Sequence, residues 1–158
     1  AKGLYEVCDL LAKDVVRNGE GTSHVMQVSV HGAPEKALAR ELGKAIINSP
    51  LVKTAICGND PNVGRIIMAI GDFLGNSGGS LNADKVFANG RFVLDGRKEI
   101  AISDHLKQAY LDPLVRGYPA HYRTVNINVD LKSGSFESSV AGSDLSHEYV
   151  TENADYRT

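Results

Sequence analysis

The chain is short of the patterns that would identify it singly. It has two cysteines in 158 residues, Cys8 and Cys57, both in apolar stretches. Two buried, reduced thiols of a cytosol-like compartment are expected, with a disulfide or a reactive thiol as the alternative. The longest uninterrupted apolar run is Ile66-Ile-Met-Ala-Ile70, far short of a membrane span. A formal charge of −2 gives no reason to expect nucleic acid, whose binders carry a basic face or stripe. The five histidines (His24, His31, His105, His121, His147) never occur as His-x-x-x-His, and there is no Cys-x-x-Cys, so no metal site is expected. A Walker-type Gly-Lys-Ser/Thr ending and a Gly-x-Ser-x-Gly elbow are absent as well, which leaves no self-sufficient nucleophile motif.

What remains is ordinary in bulk: 42% hydrophobic and 23% charged residues, enough for one globular region with a real core. Leu4, Val7, Leu11 and Val15 keep helical spacing up to Asn18-Gly19. Val25 to Val30 alternates as a strand, with Met26, Val28 and Val30 on one face. Pro34 suits the first turn of a helix with a buried stripe of Leu38, Leu42, Ala45 and Ile46. Leu51 to Cys57 reads as a continuous apolar strand interrupted by Lys53 and Thr54. A helix from Val63 to about Leu74 follows. That order is α/β.

Further on, Lys85 to Leu94 around Asn89-Gly90 gives a type I′ hairpin signal, and Asp95-Gly96 a second turn before Ile100 to Ile102. Ser103 is a cap for a helix over Asp104 to Leu111. Val125, Ile127, Val129 and Leu131 predict a strand with one wet face. Phe136 to Val140 predicts its neighbour, and Ser146 to Glu152 a last short helix.

Three segments carry candidate chemistry. Asn18-Gly-Glu-Gly-Thr22 holds Glu20 between two glycines at a helix-to-strand junction, suited to pairing with an ammonium group; a helix C-cap followed by a solvated glutamate is the competing reading. Gly58-Asn-Asp-Pro-Asn-Val-Gly-Arg65 precedes a helix, where free N–H groups favour anions; simple capping by Asp60 or Asn62 explains it equally. The terminal Asn153-Ala-Asp-Tyr-Arg-Thr158 places a Tyr, an amide, a cation and a hydroxyl together. It reads either as a substrate contact or as a strap that packs Tyr149, Val150 and Tyr156 on the core.

Taken in register, Arg17 to Ser23, Asn48 to Ala55, Gly58 to Arg65 and Asp144 to Thr158 resemble one family, ornithine acetyltransferase, also called bifunctional glutamate N-acetyltransferase, of arginine biosynthesis. The resemblance covers essentially residues 1–158. Val63 departs from it, since many members carry Trp there. The resemblance implies a layered α-β-β-α core of mixed sheets, and a precursor that cleaves itself before a threonine. That threonine, as the new N-terminus of the β chain, takes acetyl from N-acetylornithine and passes it to glutamate. A covalent ester splits one difficult transfer into two, and the adjacent α-amine can serve as base.

By residue match, Glu20, Asn153 and Thr158 correspond to the family's substrate-binding residues. Residues 1–158 correspond to a single region, the C-terminal part of the β chain, opening at Ala1 past the cleavage site. No catalytic residue is therefore expected within it; the nucleophilic Thr is expected upstream. The resemblance further implies no cofactor, with acetyl-CoA as an alternative acetyl donor in some members. It implies partners in the α chain and the β-chain N-terminus, often as a dimer of αβ pairs. The expected location is the cytoplasm, or the mitochondrial matrix or plastid in a eukaryote. Two alternatives stand beside this: a self-cleaving aminopeptidase-type hydrolase of the same architecture, and a non-catalytic amino-acid-binding module using Glu20 and the helix start near Asn62.

Overall fold

Strict alternation in two of the predicted strands sets up a sheet with one dry face. A computed structural model describes residues 2–60, 62–76, 91–94, 97–98 and 124–155. Its strands are β1 (Val25–Ala33), β2 (Arg91–Leu94), β3 (Arg97–Lys98), β4 (Thr124–Asp130) and β5 (Phe136–Ser143). They form one five-stranded sheet in the order β3-β2-β4-β1-β5. β1 runs parallel to β4 and antiparallel to β5, while β2 is antiparallel to both β3 and β4. The sheet is therefore mixed, and the α/β class is borne out. Parallel neighbours require a crossover, and helices α2 (Lys36–Asn48), α3 (Pro50–Cys57) and α4 (Val63–Asn76) occur between β1 and β4.

The core lies between these helices and the dry sheet face. Met26, Val28 and Val30 of β1 meet Val125, Ile127 and Val129 of β4 in one cluster with Leu42, Ile46, Ile56, Ile66 and Ile70. Burying each such side chain contributes about 1.5–3 kcal/mol. α2 starts at Lys36 after its cap residue Glu35, so Pro34 precedes the helix instead of occupying its first turn, and the observed stripe is Ala39, Leu42, Gly43, Ile46 and Ile47; Leu38 and Ala45 are only partly covered. The opposite sheet face is polar, with Gln27 Nε2 donating to Ser139 Oγ at 3.0 Å and His31 Nδ1 lying 3.0 Å from Glu137 Oε2.

The segment Leu51 to Cys57 is a correction. It is the helix α3, not a strand. A short apolar run does not distinguish the two; here Pro50 decides. It ends α2 and occupies the first turn of α3, where its missing N–H is no loss. Val52, Ala55 and Ile56 then face the core at helical spacing, and Lys53 lies half-buried on that helix. Cys57 is buried as expected, but Cys8 is exposed. The reason is that helix α1 (Lys2–Arg17) has no buried residue; periodicity shows that a helix has an apolar face, not what the face meets. Segments 77–90, 95–96 and 99–123, with the residue 85–90 part of the hairpin, the turn before Ile100 and the helix after Ser103, lie outside the described residues. Among the described residues no helix is long and apolar enough to cross a membrane.

At the far end of the β1–β4 pair the chain makes a tight irregularity. The pairing of β1 with β5 shifts register between Val30 and Ala33. Gly32 there adopts φ +64, and a Cβ on it would lie 2.5 Å from Asp130 Oδ1. Burial raises the Asp130 carboxyl, but the Lys132 ammonium and backbone N–H, with His31, outweigh it and hold the group below its ordinary value.

Two expectations follow from this packing. Leu42→Ala, at a fully buried position, should lower stability in urea unfolding by about 2–5 kcal/mol. Asp130→Asn should be less stable than the parent near neutral pH. Because the folded-state pKa is depressed, that contribution exists above the unfolded value and is lost as pH falls through the folded one. The two unfolding curves should therefore converge in acid.

Candidate functional site

Where β1 begins and β5 ends, the antiparallel ladder brings together two chain ends distant in sequence. Val25 pairs with Ser143, and the Asp144 N–H continues the ladder to the His24 carbonyl at 3.1 Å. Upstream of that point lies the turn Asn18 to Thr22. Downstream lies the final helix, α5 (His147–Ala154). Sheet register alone therefore puts the Gly-flanked glutamate beside the C-terminal helix.

Glu20 and Asn153, separated by 133 residues, touch: Asn153 Nδ2 donates to Glu20 Oε2 at 3.2 Å. The same amide also donates to the Tyr149 carbonyl at 2.9 Å, one turn earlier in α5. Both Glu20 and Asn153 are exposed. The pair thus offers solvent a carboxylate suited to an ammonium, whereas both Asn153 N–H groups are engaged, so the amide can donate to a carboxylate only by releasing Glu20 or Tyr149. Thr158, the third expected member, lies outside the described residues, as does Tyr156. Tyr149 and Val150 are both exposed, so α5 does not pack as the alternative strap reading required.

Beneath the exposed pair is a layer that motif reading missed. His24 Nδ1 and Asp144 Oδ2 are 2.8 Å apart, and both side chains are fully shielded from solvent. A carboxylate only accepts, so against an ionised Asp144 the imidazole Nδ1 carries the proton. Asp144 Oδ1 accepts from the Ser23 N–H at 3.0 Å. Ser146 caps α5, accepting from the Tyr149 N–H at 3.0 Å, and its hydroxyl donates to the Gly21 carbonyl at 2.5 Å. Gly21 has φ +60, and a Cβ there would sit 2.3 Å from the Tyr149 nitrogen. Only glycine fits between the turn and the helix. The available signal was a His and an Asp bordering the partner strands, but strand pairing had to be known before it could be read.

The Gly58 to Arg65 segment does not join this site. It links α3 to α4, two helices, instead of a strand to a helix. Asn62 Oδ1 accepts from the Arg65 N–H at 3.2 Å, so Asn62 is the cap. The Arg65 side chain donates to the Leu51 carbonyl at 2.9 Å, turned onto α3. The capping reading of this segment is the one that the geometry supports. A groove of about 600 Å³ runs between α1 and the polar face of β1 and β5, and neither Glu20 nor Asn153 lines it. Among the described residues no cluster of three or more His, Cys, Asp or Glu is arranged to hold a metal ion.

With this geometry established, similarity to known proteins becomes informative. The sequence profile of the ArgJ family matches residues 1–158. The arginine biosynthesis bifunctional protein ArgJ of Brucella melitensis is 36% identical over 160 residues, covering 99% of this chain and 36% of that protein. The glutamate N-acetyltransferase of Methanocaldococcus jannaschii is 40% identical over 166 residues, covering 98% of this chain and 38% of that protein. Among solved structures, the crystal structure of an arginine biosynthesis bifunctional protein ArgJ from Bacillus halodurans superposes with a TM-score of 0.77 at 33% identity, covering 98% of this chain and 68% of that one. The chain thus spans 36% and 38% of the length of these two curated relatives.

The turn–helix contact generates its own expectation. Gly21→Ala must displace backbone, not a flexible side-chain end. It should lower the melting temperature and raise amide hydrogen exchange over residues 147–154 more than over the core strands.

Proposed function

The chain belongs to the ArgJ family, and from that membership we propose that it works within a glutamate N-acetyltransferase of arginine biosynthesis. In this reading acetyl leaves N-acetylornithine for a threonine hydroxyl outside these 158 residues. The C–N amide bond breaks as the C–O ester bond forms, and free ornithine departs with the proton the hydroxyl gave up. Glutamate's α-amine then attacks the ester, giving N-acetylglutamate and restoring the threonine. This chain contributes substrate contacts through Glu20, Asn153 and Thr158. It works as a single region of a β chain that assembles with an α chain, in a dimer of such pairs, with no cofactor and with acetyl-CoA as an alternative donor.

One observation supports the assignment most directly: the exposed Asn153 amide bonded to the Glu20 carboxylate at 3.2 Å. Both substrates are amino acids or their acetyl derivatives. The Glu20 carboxylate complements the ammonium such molecules present, and the Asn153 amide can donate to their carboxylate in exchange for its Glu20 contact; a charge-assisted hydrogen bond gives both affinity and orientation.

The test is to incubate the intact purified protein with N-acetylornithine and glutamate, following N-acetylglutamate and the mass of the enzyme. N-acetylglutamate should appear, and with the donor alone the enzyme should gain one acetyl group. Release of free acetate or cleavage of peptides, without transfer to glutamate, would instead identify a hydrolase. Glu20→Gln should weaken use of substrate by about 10- to 100-fold in kcat/KM, the scale of a lost charge-assisted hydrogen bond.

A further inference from the structure

We propose that Asp144, together with His24 and Ser146, is a positioning residue for the substrate contact made by Glu20 and Asn153. The inference rests on the function proposed above for that exposed pair, but its structural half is independent of it.

The Asp144 side chain touches no solvent and therefore no ligand: it and that of His24 are fully shielded. Its two carboxylate oxygens are both engaged at the start of β1, Oδ1 by the Ser23 N–H at 3.0 Å and Oδ2 by His24 Nδ1 at 2.8 Å. Its own N–H reaches the His24 carbonyl at 3.1 Å. Two residues further along, Ser146 holds the Gly21 carbonyl while capping α5. The main chain on the C-terminal side of Glu20 is thus tied to the segment 144–146 at Gly21, Ser23 and His24. That segment launches the helix carrying Asn153. Among the described residues Glu20 itself has no buried anchor; its Oε2 contact is with Asn153. The separation of the exposed carboxylate and amide is therefore set from below, by a buried clamp at the end of the ladder.

A group that only stabilised the fold would lower the amount of folded protein without altering the affinity of what remained. A positioning group changes how well folded protein holds substrate. The experiment uses the intact enzyme with Asp144→Asn, Ser146→Ala and Ser146→Thr, each alone and with Glu20→Gln. Ser146 is the milder site, should Asp144→Asn fail to fold. Asp144→Asn and Ser146→Ala should raise KM by about tenfold while kcat changes less than about threefold, because binding geometry and not chemistry is disturbed. Ser146→Thr, which keeps the hydroxyl, should restore the parent KM. With Glu20→Gln already present, neither change should raise KM much further, since coupled residues are non-additive. Unchanged KM, or effects that simply multiply in the double variants, would overturn the proposal.

Amide hydrogen exchange on the same proteins decides the structural half even if acetyl transfer is absent and the proposed function falls. Joint loss of protection in residues 18–24 and 147–154, with the core strands unaffected, supports the clamp. Protection that is unchanged, or lost evenly across the sheet, removes it.

Discussion

The antiparallel pairing of β1 with β5 is the constraint from which the rest of the site follows. Its last rungs, Val25 with Ser143 and then His24 with Asp144, bring an early loop and the final helix to the same edge of the sheet. The ladder ends in a buried histidine–carboxylate pair instead of fraying into water. Removing one partner leaves the other buried and unsatisfied, which typically costs about 1–3 kcal/mol. That penalty makes the end of the ladder discriminating. The alternation in β1 points the same way, because a slip of one residue would turn Met26, Val28 and Val30 out of the core.

Chemistry is divided between two levels. The upper level, Glu20 and Asn153, is polar, exposed and lightly held, which suits the ligand contact proposed for it. The lower level, buried His24, Asp144 and Ser146 with the half-buried backbone of Gly21, is engaged in internal hydrogen bonds. Sites that bind with precision need this arrangement, since ligand-contacting side chains are only as well placed as what stands behind them. Gly21 makes the two levels continuous: its left-handed backbone lies against the start of α5 with no room for a side chain.

Much of the fold was legible because alternation and helical spacing are local. β1, β4, β5, α1, α2, α4 and α5 all lie where their patterns suggested. Leu51 to Cys57 was not legible as a helix, since seven apolar-rich residues fit either element and only Pro50, read as an initiator as well as a terminator, separates them. The exposure of Cys8 was hidden for a different reason: apolar spacing on α1 does not reveal its neighbour. For the site, Glu20 and Asn153 came from the resemblance, and Asn62 as a cap from helix-start rules. The His24–Asp144 pair was invisible because neither residue belongs to a local motif. It exists only once two strands more than a hundred residues apart have paired, as the 120-residue separation of the two side chains shows.

That separation also bears on how the site forms. A contact between residues 133 apart gains nothing until the intervening chain has been closed, and the entropy of that closure is met by the core and not by the contact itself. The apolar cluster of α2, β1 and β4 buries far more surface than one exposed amide–carboxylate bond could match. The clamp is the link between these scales: too small to drive folding, but selective for the register in which folding must finish. Glu20 and Asn153 can meet only when β5 has docked in that register and α5 has been capped by Ser146. Their contact is therefore a consequence of a completed sheet, and the relative placement of carboxylate and amide is inherited from strand pairing.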